Sequence, residues 1–140
     1  MKILVIDGQG GRMGSTFIEK WRQRAAKQTR VIAVGTNSIA TSAMLKAGAD
    51  GGATGENPVL VNAADADYIV GPIGIIAADA LLGEVTPLMA AAVARSKAQK
   101  VLIPVNACKY QVAGVKDCTM SELIDDTVKQ ILKHMADNKK

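Results

Sequence analysis

The opening residues MKILVIDGQGGRMG constrain the fold more than any other part of the chain. Lys2 to Ile6 is an apolar run rich in β-branched residues and stopped by Asp7-Gly8. A run apolar on both sides of the pleat suits a strand covered on both faces, as in a parallel sheet. Gly8, Gly10, Gly11 and Gly14 follow at once, and then Met13, Phe17, Ile18, Trp21 and Ala25 recur at three- and four-residue steps opposite Glu19, Lys20, Arg22, Gln23 and Arg24. That spacing predicts an amphipathic helix from about Arg12 to Gln28, joined to the strand by a glycine-rich turn.

The alternation continues. Val31–Val34 reads as a second buried strand stopped by Gly35, and Ser38 or Ile39 to Ala47 as a second helix ended by Gly48. Asn57-Pro58 reads as an N-cap followed by proline at the first helical position, opening a short helix through Ala64 that leads to a strand at Tyr68–Val70. After Gly71-Pro72-Ile73-Gly74 comes an ambiguous apolar stretch, IIAADALLG; Thr86-Pro87 then starts a helix that runs into a strand at Val101–Ile103. Pro104 closes that strand because it has no N–H for the ladder. A weaker strand is expected at Gln111–Val115, and a final helix with Ser121 as N-cap and Leu123, Ile124, Val128, Ile131, Leu132 and Met135 as its apolar stripe. Strands alternating with helices predict one α/β domain over residues 1–140, a Rossmann-like, doubly wound, mainly parallel sheet in a three-layer α/β/α arrangement.

Composition narrows the function classes. The net charge is +4, but no dense Lys/Arg block occurs and only 3% of residues are aromatic, so nucleic-acid binding by charge and stacking is not expected. No stretch approaches the roughly 18 uninterrupted apolar residues of a membrane helix. Asp7 interrupts the first apolar run too early for a signal-peptide core, which makes a cytoplasmic protein with reduced Cys108 and Cys118 the expectation.

A glycine-rich link between strand and helix offers an anion free backbone N–H groups, a close approach and the positive end of a helix dipole. The spacing of Gly8, Gly11 and Gly14 is G-x-x-G-x-x-G, set in the strand–turn–helix context that a dinucleotide fingerprint requires. The competing reading is that these glycines only shape a tight turn. Asp7 beside the loop would oppose a phosphate unless it braces backbone N–H groups or binds a metal ion.

The run IDGQGGRMGSTFIE resembles the opening of dihydrodipicolinate reductases. That resemblance implies NAD(P) as cofactor, with Gly8, Gly11, Arg12, Met13 and Gly14 against its pyrophosphate or adenosine phosphate. Over its whole length the chain is more similar to a family of small, uncharacterised bacterial proteins that begin with a D-G-Q-G-G-type loop, which implies a fold and no activity. Strand two ends in Gly35-Thr36-Asn37-Ser38, without the carboxylate that accepts ribose hydroxyls in NAD enzymes. Arg12, Thr36, Asn37 and Ser38 could instead receive a 2′-phosphate, so NADP is favoured slightly over NAD.

Ligands of open parallel sheets bind outside the carboxyl ends of the strands. The expected cofactor contacts are therefore Gly8, Gln9, Gly10, Gly11, Arg12, Met13 and Gly14, with Thr36, Asn37, Ser38, Gly71, Pro72 and Asn106 from the neighbouring loops. Asn106, Cys108 and Lys109 form the one reactive-looking cluster, but no histidine or acid is paired with the thiol in sequence. His134 reads as a structural or solvent-exposed residue near a helix end. Asp50, Glu56, Asp65 and Asp67 read as loop and cap residues, and no spacing argues for a metal. The expected function is binding of a small phosphate-bearing ligand, a nucleotide with NAD(P) before others, through the Gly8–Gly14 loop, without a recognisable catalytic constellation. The alternatives are a reductase completed by a partner subunit, and a structural or regulatory oligomer without nucleotide. The apolar stretch Ile73–Ala94 suggests a homodimer surface.

Overall fold

A computed structural model of the chain describes residues 1–25, 28–105 and 110–140. The expected contact Asn106 and the reactive-looking cluster it forms with Cys108 and Lys109 lie outside the described residues. Five strands form one parallel sheet: β1 (Lys2–Asp7), β2 (Arg30–Gly35), β3 (Gly51–Thr54), β4 (Tyr68–Pro72) and β5 (Gln99–Ile103), in the order β3-β2-β1-β4-β5. Five helices accompany them: α1 (Arg12–Arg24), α2 (Ser38–Lys46), α3 (Glu56–Ala63), α4 (Pro87–Arg95) and α5 (Met120–Asp137). The fold is the expected Rossmann-like α/β architecture.

Alternation along the central strand builds two cores. Ile3 and Val5 face one side, against Phe17, Ile18 and Trp21 of α1, Met44 of α2 and Ile124, Val128 and Ile131 of α5. Leu4 and Ile6 face the other, against Val59 and Ala63 of α3 and Met89, Ala90 and Val93 of α4. Strand β1 is thus buried on both faces, which its unbroken apolar run requires. Phe17 and Trp21, one helical turn apart, stack with centroids 6.0 Å apart.

Three expectations are corrected, and one strand not expected from the sequence is added. The strand β3, sequence Gly-Gly-Ala-Thr, has no β propensity to announce it. It is made by its surroundings: Asp50 Oδ2 accepts from Val31 N (2.7 Å), Asp50 N donates to Val31 O (2.8 Å), and a Cβ on Gly52 would lie 2.9 Å from the Leu45 side chain. Helix α3 starts at Glu56 with Gly55 as N-cap at φ 101°, not at Asn57-Pro58. Pro58 fits inside the first turn because an N–H there has no helical partner to lose. Helix α5 is capped by Thr119, whose hydroxyl accepts from Glu122 N at 3.2 Å, rather than by Ser121. Gln111–Val115 is not a strand; it turns at Gly114, φ 85°.

The apolar middle is largely covered internally. After a 3₁₀ turn at Ile73–Ile76, Ile75, Leu81, Val85 and Met89 are buried in the second core, while Ile76, Leu82 and Leu88 remain exposed.

Candidate functional site

The chain runs outward from β1 to β3 and then returns to the other side of β1 for β4 and β5. Loops leaving the carboxyl ends of β1 and β4 therefore diverge, and the crevice between them is where such sheets hold ligands. The β1–α1 loop, the β2–α2 loop and the segment after β4 meet at this edge.

Asp7, the last residue of β1, is only 6% exposed. Its Oδ1 accepts from Gly8 N at 2.8 Å and its Oδ2 from Gly14 N at 2.7 Å, so one carboxylate ties the start of the loop to the first turn of α1. Burial pushes this carboxyl above its ordinary range and the nearby Glu84 charge adds to the rise, while the N–H groups of Gly14, Gly8 and Met13 pull the other way. Of the roles open to Asp7 in sequence, the geometry is that of a loop brace. Gly11 N donates to Gly8 O at 2.9 Å, closing the turn, and Gly11 itself sits at φ 71° as the N-cap of α1.

The second feature is one that sequence reasoning missed. Glu84, between the 3₁₀ turn and α4, reaches across to the β1–α1 and β2–α2 loops. Its carboxylate accepts from Gln9 N (3.2 Å), from the Thr36 hydroxyl (3.0 Å) and from the Asn37 side-chain amide. Asn37 also donates to Gln9 O (2.9 Å) and caps α2 by accepting from Ala40 N (2.9 Å), so it joins both loops. Glu84, 47 or more positions away in sequence, thus supplies the carboxylate that the end of β2 lacks. No periodicity in the sequence points to Glu84.

The expected ligand residues divide accordingly. Gln9, Thr36 and Asn37 converge on one slot. Gly8, Met13 and Gly14 are buried and serve the fold: the two glycine N–H groups are held by Asp7, and Met13 belongs to the first core. A Cβ on Gly14 would lie 2.5 Å from Met44 Sδ. Gly71 and Pro72 are buried at the end of β4, where a Cβ on Gly71 would lie 2.4 Å from the Ile6 carbonyl oxygen. Gly10, Arg12 and Ser38 are exposed at the rim. Among the described residues, the N–H groups of Gly10 and Arg12 and the Arg12 guanidinium make no hydrogen bond.

Of the acids read as loop and cap residues, Glu56 opens α3 and the other three have partners of their own. Asp50 pairs with Arg22 (2.7 Å), and Asp67 accepts from Lys2 N (2.7 Å). Asp65 is ion-paired with Lys2. His134 is half-buried, and its Nδ1 is 2.8 Å from the Tyr68 hydroxyl. That pair borders a cavity of about 900 Å³ at the amino edge of the sheet, opposite the glycine loop, lined also by Arg24, Asp67, Lys97 and Gln99. Among the described residues no helix is long and apolar enough to cross a membrane.

The sheet order, the buried first strand and the braced glycine loop define a Rossmann-like α/β protein. The chain belongs to the family described as a domain of unknown function, DUF3842, whose model matches residues 2–136. This agrees with the whole-length resemblance in so far as that resemblance named an uncharacterised family. No curated protein matches it. Among solved structures, the chain is similar to a dodecameric FMN-dependent Ubix-like decarboxylase from Escherichia coli O157:H7, with 15% identity, a TM-score of 0.52, and coverage of 97% of this chain and 95% of that one.

The expectation of NAD(P), with NADP favoured, is corrected by this comparison, because the similar fold is described as serving FMN. The loop supplies a physical reason. A pyrophosphate needs successive free N–H groups along the turn, and here Asp7 and the Gly8 carbonyl hold those of Gly8, Gly11 and Gly14.

Proposed function

We propose that this protein is a binding module for a small phosphate-bearing molecule, seated at the carboxyl edge of β1 and β2 beside the switch point. The observation that carries the reading is the slot formed by the Gln9 N–H, the Thr36 hydroxyl and the Asn37 amide, three donors from two loops aimed at one oxyanion. Donors converging near a helix N-terminus favour an anion. The exposed Arg12 guanidinium at the rim adds a positive charge for it. Flavin mononucleotide is the first ligand to test, since the similar solved structure is described as FMN-dependent. Asp7 and Glu84, the acids beside the slot, are both engaged by donors, which favours binding over acid–base catalysis. The test is calorimetric titration of wild type, Thr36→Val and Glu84→Ala with flavin mononucleotide and with AMP. Saturable binding that Thr36→Val weakens supports the reading, and binding of neither ligand by wild type or by Glu84→Ala overturns it.

A second reading concerns assembly. Ile76 (40% exposed), Leu82 (98%) and Leu88 (59%) are the uncovered remainder of the apolar middle, and we propose that they take part in self-association. Light scattering should report an oligomer that Leu82→Ser with Leu88→Ser dissociates; a monomeric wild type at about 50 µM, above the micromolar upper end of the Kd range of standard-size interfaces, ends this reading.

A further inference from the structure

The β1–α1 loop can be audited donor by donor. The N–H groups of Gly8 and Gly14 are held by the Asp7 carboxylate, that of Gly11 by the Gly8 carbonyl, and that of Gln9 by Glu84. What remains beyond the Glu84 slot is the rim N–H of Gly10, the N–H of Arg12 and the Arg12 side chain. Two phosphoryl groups bridged along the loop would have to take donors from a buried brace. A single terminal phosphoryl group would need only the donors that Glu84 uses, with Arg12 beside them.

Glu84 occupies that slot from a segment that holds itself in place. Between Ala77 and Val85, Asp79 N donates to Val85 O (2.8 Å), Gly83 N to Asp79 O (3.1 Å) and Val85 N to Ala80 O (3.1 Å). Leu81 of the same segment lies over Gly8, where an added Cβ would be 2.8 Å from Leu81 Cδ1. Glu84 itself is half-buried, so its side chain can swing to solvent without moving Leu81. A dianion entering the slot with Glu84 still in place would put three carboxylate or phosphate groups together, counting Asp7, which Coulomb repulsion in a partly desolvated crevice disfavours.

From the carboxylate seated on Gln9, Thr36 and Asn37 we infer that the slot takes the terminal phosphoryl group of a phosphomonoester, and that Glu84 is an internal stand-in which this group displaces. The inference rests on the binding reading above. Its consequence is that the apparent affinity of the protein is reduced by the fraction of molecules in which Glu84 holds the slot.

The experiment titrates wild type, Glu84→Gln and Glu84→Ala with flavin mononucleotide, riboflavin and FAD by calorimetry, and follows melting in inorganic phosphate against chloride at equal ionic strength. The expected result is that both variants bind flavin mononucleotide about tenfold or more tightly than wild type, that riboflavin gains nothing, that FAD gains less than flavin mononucleotide, and that phosphate raises melting more in the variants than in wild type. If wild type and both variants bind flavin mononucleotide equally, the stand-in role is overturned and the binding reading stands. Equal affinity for riboflavin and flavin mononucleotide overturns the phosphoryl assignment. If no variant binds any flavin or responds to phosphate, the binding reading fails together with the inference.

Discussion

Gly10 and Gly11 are neighbours in one loop, yet substituting them should have opposite consequences. Gly11 is at φ 71°, and a Cβ there would lie 2.7 Å from Ala40 Cα and 2.9 Å from Ala40 O, both backbone atoms of α2. Alanine would carry the left-handed penalty of about 1–2 kcal/mol and an overpacking cost of about 1–3 kcal/mol. Loss of chain entropy in the unfolded state returns about 0.4–1 kcal/mol. The net for Gly11→Ala is a destabilisation of about 1–4.6 kcal/mol from those terms. Gly10 has nothing within 4 Å of an added Cβ and does not need the left-handed region, so Gly10→Ala should be neutral or slightly stabilising. Urea denaturation followed by circular dichroism reads the difference. With a slope of about 2 kcal/mol/M, the Gly11→Ala midpoint falls by about 0.5–2.3 M while Gly10→Ala stays near wild type. A Gly11→Ala midpoint equal to wild type, or a Gly10→Ala protein as weak as Gly11→Ala, would refute the steric argument. The pair also separates fold from function: a binding defect at Gly11 reports on the fold, whereas one at Gly10 reports on the ligand.

Two acids should give pH dependences of opposite sign. Burial, helped by the Glu84 charge, raises the Asp7 carboxyl in the folded state. Its contribution to stability is therefore fully present below the unfolded value of about 3.9 and lost as pH rises through the folded one, so the stability of wild type minus Asp7→Asn should fall with rising pH. A difference that grows with pH would mean that the N–H donors outweigh burial. Asp50 is lowered by the Val31 N–H and by Arg22. Its contribution is present above the unfolded value and lost as pH falls through the folded one, so wild type minus Asp50→Asn should shrink on acidification; a flat difference would show the clasp to be inert. Leu82 is 98% exposed at φ 57°, a conformation glycine adopts freely, so at a concentration where the protein is monomeric Leu82→Gly should raise stability by up to about 1 kcal/mol. A loss in thermal melting would contradict strain at that position. Tyr68→Phe removes the hydroxyl beside His134 and should cost about 0.5–1.5 kcal/mol in urea denaturation; no cost would mean that the bond is not kept in solution.

The architecture was legible where local pattern and tertiary role agree. The apolar run of β1 and the stripe Phe17, Ile18, Trp21 of α1 point inward because their spacing leaves them no other face. Strand β3 was illegible because its pairing is imposed by β2 and by the Asp50 clasp, not by Gly51-Gly52-Ala53-Thr54 themselves. The glycine loop was legible as a tight strand-to-helix turn, but which of its glycines the packing requires was not, because that depends on Ala40 and Met44 from α2. Glu84 shows the limit most clearly. Its closest partners, Gln9, Thr36 and Asn37, were all expected at a ligand site, yet the side chain that joins them comes from a stretch read only as apolar. The NAD(P) expectation failed for a related reason, since a spacing of glycines does not say which N–H groups a neighbouring carboxylate has already taken.

The four residues of β3 also determine how the sheet comes apart. As an edge strand with two adjacent glycines, it is held to β2 over only Ile32 to Gly35. Its amides should exchange with solvent earliest among the strands, through local fraying that leaves the rest of the protein folded. Each such opening bares the edge of β2, where Val31, Ile32, Ala33 and Val34 form an uninterrupted apolar row. An open row of that kind is a template for a strand from another molecule, so the Arg22–Asp50 clasp at the entry to β3 also guards the protein against aggregation.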